Sequence, residues 1–188
     1  MYIQQQAIIL ASKSPRRQEL MKALGLDFTV ELKEVDESYP DGLSAAAIAV
    51  YISEKKAKAF GSSADQLIIT ADTIVALDGE ILGKPTDQAN AKQMLRKLSG
   101  RKHEVYTGVT IIKDSQLHSF YELTDVYCKE VSDQEIDFYI ENYRPFDKAG
   151  SYGIQDWWGL VVVKRIHGSY TNVMGLPTEK LYQTLSKL

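Results

Sequence analysis

The near-continuous apolar run Leu67-Ile-Ile-Thr-Ala71 constrains this chain more than any other stretch. A half-buried strand alternates polar and apolar residues, whereas a run apolar throughout is the pattern of a strand covered on both faces. Such a strand needs helices around it, and the flanking segments supply them. Residues 15–24 read as a helix with Leu20, Met21 and Leu24 on one side, stopped by Gly25. Ser44 caps a long helix reaching to about Phe60, with Ile48, Ile52 and the alanines inward and Lys55, Lys56 and Lys58 complementing the dipole near its end.

The remaining pattern is mixed. Residues 8–11 and 28–32 read as strands, and the run at 67–71 ends at Asp72. Residues 73–77 and 80–82, joined by Asp78-Gly79, form a hairpin, and residues 87–98 an amphipathic helix. Residues 105–113 and 119–129 make two long strands of an antiparallel pair. Residues 133–143 are helical, 145–155 a polar loop, 159–166 a buried strand and 177–188 a closing helix. With 44% hydrophobic content in 188 residues, the chain can bury one sizeable core or two small lobes sharing a cleft. The expected class is α/β: a mixed twisted sheet flanked by helices.

The connection from the first strand to the first helix, Ala11-Ser-Lys-Ser-Pro-Arg-Arg17, looks built for an anion. Ser14 is a good N-cap and Pro15 suits the first helical position, so the N–H groups of the opening turn point outward at the positive end of the dipole. Arg16 and Arg17 oppose that dipole. A bound polyphosphate explains the conflict better than helix design does, although a solvated basic turn has the same composition. The formal net charge of −3 argues against a general nucleic-acid surface, so an anion site must be local.

Other residues offer complementary chemistry. Asp72, at the end of the apolar run, is the leading carboxylate, with a turn aspartate capping Thr73 or Ile74 as the plainer reading. Asp36 and Glu37 form an acidic loop; a hard cation such as Mg²⁺ needs only one or two carboxylates beside substrate oxygens and water. Lys84 sits in a rigid Gly83-Lys84-Pro85 turn, placed for phosphate although the segment is no P-loop, and Lys56 is a second lysine candidate. In residues 147–155, Gln155 presents a donor and an acceptor together, which suits the edge of a nucleobase or, more simply, loop backbone. Tyr152, Trp157 and Trp158 are candidates for base stacking or for the core. Ser169, Tyr170 and Asn172 form a polar patch or a simple turn. Cys128 reads as a small half-buried residue, and the three histidines lack ligand spacing.

Five blocks in order resemble the Maf family of nucleoside triphosphate pyrophosphatases over nearly the full chain: Ala11-Ser-Lys-Ser-Pro-Arg-Arg-Gln-Glu-Leu20, Ala71-Asp-Thr-Ile-Val75, Gly79-Glu-Ile-Leu-Gly-Lys-Pro85, Asp147-Lys-Ala-Gly-Ser-Tyr-Gly-Ile-Gln155 and Gly168-Ser-Tyr-Thr-Asn-Val-Met-Gly-Leu-Pro177. The resemblance implies a single pyrophosphatase domain over residues 1–188, with two lobes enclosing a nucleotide cleft of the Maf/ITPase type. It implies cleavage of a nucleoside triphosphate between the α and β phosphates to a monophosphate and pyrophosphate. It marks Asp72 as the catalytic acidic residue, Arg16, Thr73 and Gln155 as positions of substrate choice, and Arg17, Lys56, Lys84 and Lys148 as basic positions around the phosphates. Glu37, with Asp72, is implied near a divalent Mg or Mn cation. The Gly-Ile-Gln block resembles the branch acting on dTTP and UTP, and modified pyrimidine nucleotides, although Asp156-Trp157-Trp158 replaces the glycine that often follows the glutamine there. The rival is a non-catalytic nucleotide-binding regulator of septum formation in cell division. No run approaches a membrane span and residues 1–6 lack a secretory n-region, so a cytoplasmic protein without membrane contact is expected; the family suggests a homodimer.

Overall fold

In the computed structural model, which describes residues 6–61 and 66–188, the chain forms a seven-stranded mixed sheet covered by helices. In chain order the elements are β1 (Ala7–Leu10), α1 (Pro15–Ala23), β2 (Phe28–Val30), α2 (Ala45–Lys58), β3 (Gln66–Leu77), β4 (Glu80–Leu82), α3 (Gln88–Leu98), β5 (Lys102–Lys113), β6 (Gln116–Cys128), α4 (Asp133–Tyr143), α5 (Trp157–Val161), β7 (Val163–His167), α6 (Tyr170–Met174) and α7 (Thr178–Leu185). A 3-10 turn, Ala149–Ser151, lies between α4 and α5. The caps expected from sequence form: Ser14 accepts from the Arg17 N–H and Ser44 from the Ala47 N–H. Among the described residues no helix is long and apolar enough to cross a membrane.

The sheet order is β2-β1-β3-β5-β6-β7, with β4 on the outer edge of β3. β1 pairs in parallel with β2 and β3, and every other pairing is antiparallel. The long strands β3, β5 and β6 pack into a separate large apolar cluster toward each of their two ends, with two smaller clusters under α2. At one end Leu67, Ile69, Val109 and Ile111 pack with Leu20 and Met21 of α1 and Leu181 and Leu185 of α7. At the other end Val75, Leu77, Val105 and Val126 pack with Leu95 of α3, Ile136 and Tyr139 of α4 and Trp158 of α5. These two packed ends are the lobes.

Helix α2 covers the opposite face from α1, and one glycine determines how closely. A Cβ at Gly108 would sit 2.5 Å from the Val50 nitrogen and closer still to the Ala49 carbonyl, so only glycine lets the helix backbone rest on β5 there. Buried hydroxyls hold it in register: Ser53 Oγ lies 2.8 Å from Thr110 Oγ1, and Thr70 Oγ1 donates to the Ser53 carbonyl at 2.6 Å.

The structure corrects several sequence expectations. Asp72 does not end a strand: residues 67–71 and 73–77 are one strand, β3, because β5 pairs with it without interruption from Ile68 to Ala76. The proposed buried strand at 159–166 begins as helix, because Asp156 caps the Trp158 N–H; the strand that follows, β7, is a half-exposed edge. Residues 150–154 of the expected polar loop are buried, β2 stops at Val30, and Ser169 caps a short helix rather than a simple turn. Cys128 is fully buried, and burial pushes its thiol up to about 11.

Candidate active site

In the order β2-β1-β3 the chain passes from β1 through α1 to one neighbour and then through α2 back to the other, a topological switch point, and ligands in α/β sheets gather in the crevice at such points. β1 stops at Leu10, paired with Ile69, while β4 joins the same edge of β3 only at Val75. Between them lies a cleft of about 990 Å³, at the upper end of the roughly 300–1,000 Å³ usual for small-molecule sites. Its lining contains Arg16, Arg17, Glu37, Lys56, Asp72, Thr73, Lys84, Lys148 and Gln155, so every residue that the family resemblance marks reaches one cavity. Positive side chains outnumber negative ones there, against the negative balance of the whole chain.

The period of two along β3 sends Asp72 toward α2 and Thr73 toward α1. Each meets a base. Lys56, two turns beyond Ala49 on α2, places Nζ 2.7 Å from Asp72 Oδ1 and 2.9 Å from Glu37 Oε1, bringing two carboxylates from distant segments onto one ammonium. Burial disfavours the Glu37 carboxylate, but the Lys56 hydrogen bond and the charges of Lys56, Lys84 and Arg17 outweigh it and hold the carboxyl below its ordinary range.

On the other face, Arg17 donates from Nη2 to Thr73 Oγ1 at 3.0 Å and from Nε to the Gly175 carbonyl at 2.7 Å. Thr73 in turn lies 3.0 Å from Thr107 Oγ1. Burial pulls Arg17 below its ordinary value while the Asp72 charge opposes the shift; among the described residues it makes no ion pair, so its charge remains for an incoming anion. Arg16 and Lys148 are instead bridged by Asp147, at 3.2 and 2.7 Å. Lys84 is exposed and, among the described residues, makes no hydrogen bond or ion pair. The Gln155 amide is likewise exposed in the cleft.

Of the aromatic candidates, Tyr152 lines the cleft while Trp158 is wholly buried and Trp157 packs on Phe138 and Tyr139. Behind Tyr152, His103 Nε2 lies 2.7 Å from its hydroxyl, and burial pushes the imidazole down to about 4. Sequence reasoning assigned nothing to Asp147, Thr107 or the Gly175 carbonyl. Asp147 lies in the segment expected as a polar loop, and a backbone acceptor leaves no trace in side-chain chemistry.

The fold and cleft define an α/β protein with a cationic, carboxylate-bearing site at a switch point. The family model of Maf-like proteins matches residues 7–188, and the chain belongs to that family. A relative from Phocaeicola vulgatus named dTTP/UTP pyrophosphatase is 53% identical over 184 residues, covering 96% of this chain and 95% of the relative. One from Flavobacterium psychrophilum with the same name is 50% identical over 177 residues, covering 93% and 91%. Among solved structures, a HAM1 protein from Coxiella burnetii superposes with a TM-score of 0.53 at 14% identity, covering 97% of this chain and all of the other, a likeness of fold.

Proposed function

We propose that this protein is a nucleoside triphosphate pyrophosphatase that hydrolyses dTTP and UTP to the monophosphate and pyrophosphate. The observation that carries the reading is the pairing of Asp72 with Lys56 across the open edge of β3 from the uncompensated Arg17. Two relatives named for that activity support the substrate class.

The chemistry follows from charge. Water attacks the α phosphorus, the bond to the bridging oxygen breaks, and pyrophosphate leaves with the electron pair. Asp72 orients the water and accepts its proton, while Lys56 holds the carboxylate in place. Arg17, fixed by Thr73 and Gly175, and Arg16 at the opening of α1 grip phosphate oxygens, where the guanidinium fork permits two parallel bonds. Lys84 and Lys148 add point charge. Gln155 reads the base edge and Thr73 the adjoining substrate.

A divalent cation, Mg²⁺ or Mn²⁺, fits this donor set. Glu37 and Asp72 already converge on one positive centre, and a hard cation needs only one or two carboxylates beside phosphate oxygens and water. Glu37 and Asp72 would hold it, and when bound it supplies Lewis-acid charge neutralisation and a more acidic water. Residues 1–188 act as one domain in the cytoplasm, as a homodimer.

The test is a panel of nucleoside triphosphates with Mg²⁺, scored for products. Monophosphate and pyrophosphate from dTTP and UTP are expected; diphosphate and orthophosphate, or binding without turnover, would overturn the assignment. Arg16→Ala is expected to reduce kcat/KM by about 1.5–3 kcal/mol, the scale of a charge-assisted hydrogen bond. Its exposed partner Asp147 makes the ion pair itself worth little, so the melting midpoint should hold. An unchanged kcat/KM would remove Arg16 from the substrate site.

A further inference from the structure

The segment that presents Gln155 is held from behind by a buried hydroxyl. Tyr139 of α4 accepts from the Gly153 N–H at 3.0 Å and donates to the Asp156 carboxylate, 3.0 Å from each oxygen. Gln155 thus lies between two residues tied to the same phenol. The phenol is enclosed: its ring is fully buried and stacked against Tyr143 and Trp157. Asp156 also caps α5 through the Trp158 N–H at 3.3 Å. The space around Gly153 is closed, since a Cβ there would meet Asp156 Oδ2 at 2.6 Å and Lys148 Cε at 3.1 Å.

Resting on the reading of Gln155 as the base reader, we propose that Tyr139 and Asp156 are positioning residues that set the depth of the base end of the cleft and so exclude purines. The amide alone cannot do this. Guanine O6 and N1–H repeat the acceptor–donor pair of uracil O4 and N3–H, so a glutamine that suits one suits the other. What separates them is how far the amide stands from the phosphate clamp, and the pin on either side of Gln155 determines that distance. Cytosine presents the reverse pair, N3 accepting and N4–H donating, so its rejection by Gln155 requires the amide to be held in one orientation.

The experiment measures kcat/KM for UTP, GTP and CTP, with melting midpoints, in the full-length parent and in Tyr139→Phe, Asp156→Ala, Asp156→Asn and Gln155→Ala. Tyr139→Phe should lower the UTP-to-GTP ratio about ten-fold, by letting the loop shift by a fraction of the ångström-scale misplacement that costs about 10²-fold at a reacting centre. Asp156→Ala should follow it, and it carries the test if Tyr139→Phe does not fold. Asp156→Asn keeps an acceptor for Tyr139 and for the Trp158 N–H, and should restore the parent ratio. Equal losses for UTP and GTP in both truncated variants, with lower melting midpoints, would reduce the pair to a structural role and overturn the inference. Gln155→Ala should lower the UTP-to-CTP ratio; if it leaves that ratio unchanged, the reading of Gln155 fails, while the UTP-to-GTP ratios still score the pin separately.

Discussion

Asp72→Asn is expected to lower kcat/KM for UTP about 10³-fold, about 4 kcal/mol of transition-state stabilisation, while the protein stays folded. The amide cannot take the proton from the attacking water and is a poorer ligand for a hard cation, so both contributions of the carboxylate disappear together. Stability should change little, for a reason visible in the contacts. Lys56 keeps Glu37 as a counter-charge at 2.9 Å, and the amide oxygen that replaces the Asp72 carboxylate oxygen still accepts from it. Loss of about 1 kcal/mol would move the melting midpoint by about 2–4 °C for a domain of this size. Turnover of UTP near the parent level, followed by pyrophosphate release, would remove Asp72 from the chemistry.

Gly108→Ala is expected to have the largest effect on stability. The added methyl would press on the Ala49–Val50 backbone of α2, which cannot rotate away as a side chain can, so the helix must lift from the sheet. Overpacking of this kind costs about 3 kcal/mol, roughly 6–12 °C in the melting midpoint. Activity should fall with it, because α2 carries Lys56 and lifting the helix pulls the ammonium from Asp72, whose β3 position is directly opposite Gly108 on β5. A melting midpoint and kcat/KM equal to the parent's would show that α2 is not held at this contact.

The local rules were legible. Ser14 and Ser44 cap the helices they were expected to cap, α2 buries Ile48, Ala49 and Ile52, and the side chains marked by the family resemblance line one cleft, whereas Trp157, Trp158, Ser169, Tyr170 and Asn172 do not. The misreadings have different causes. Asp72 looks like the end of a strand because a charge interrupts an apolar run, yet a charged residue can sit within a strand where the neighbouring strand has stopped. Gly159 to Ile166 reads as a strand by composition, but the Asp156 cap starts a helix in the first half of it. Tyr139 lies in the helix expected at residues 133–143, and its hydroxyl bonds to Gly153 and Asp156 join segments that are not neighbours in sequence.

By itself the sequence determined α1, α2, α3, α4 and α7, the buried run that begins β3, the cationic opening of α1 and the family pattern, because capping, side-chain periodicity and motif order act over a few residues. The tertiary structure alone decided that β1 stops short of β4 along β3, that adjacent Asp72 and Thr73 face opposite helices, and that Gly108 lets α2 bring Lys56 down onto Asp72. Those are questions of strand register and of backbone approach between segments far apart in the chain. They are settled by packing the whole sheet, and no local pattern carries them.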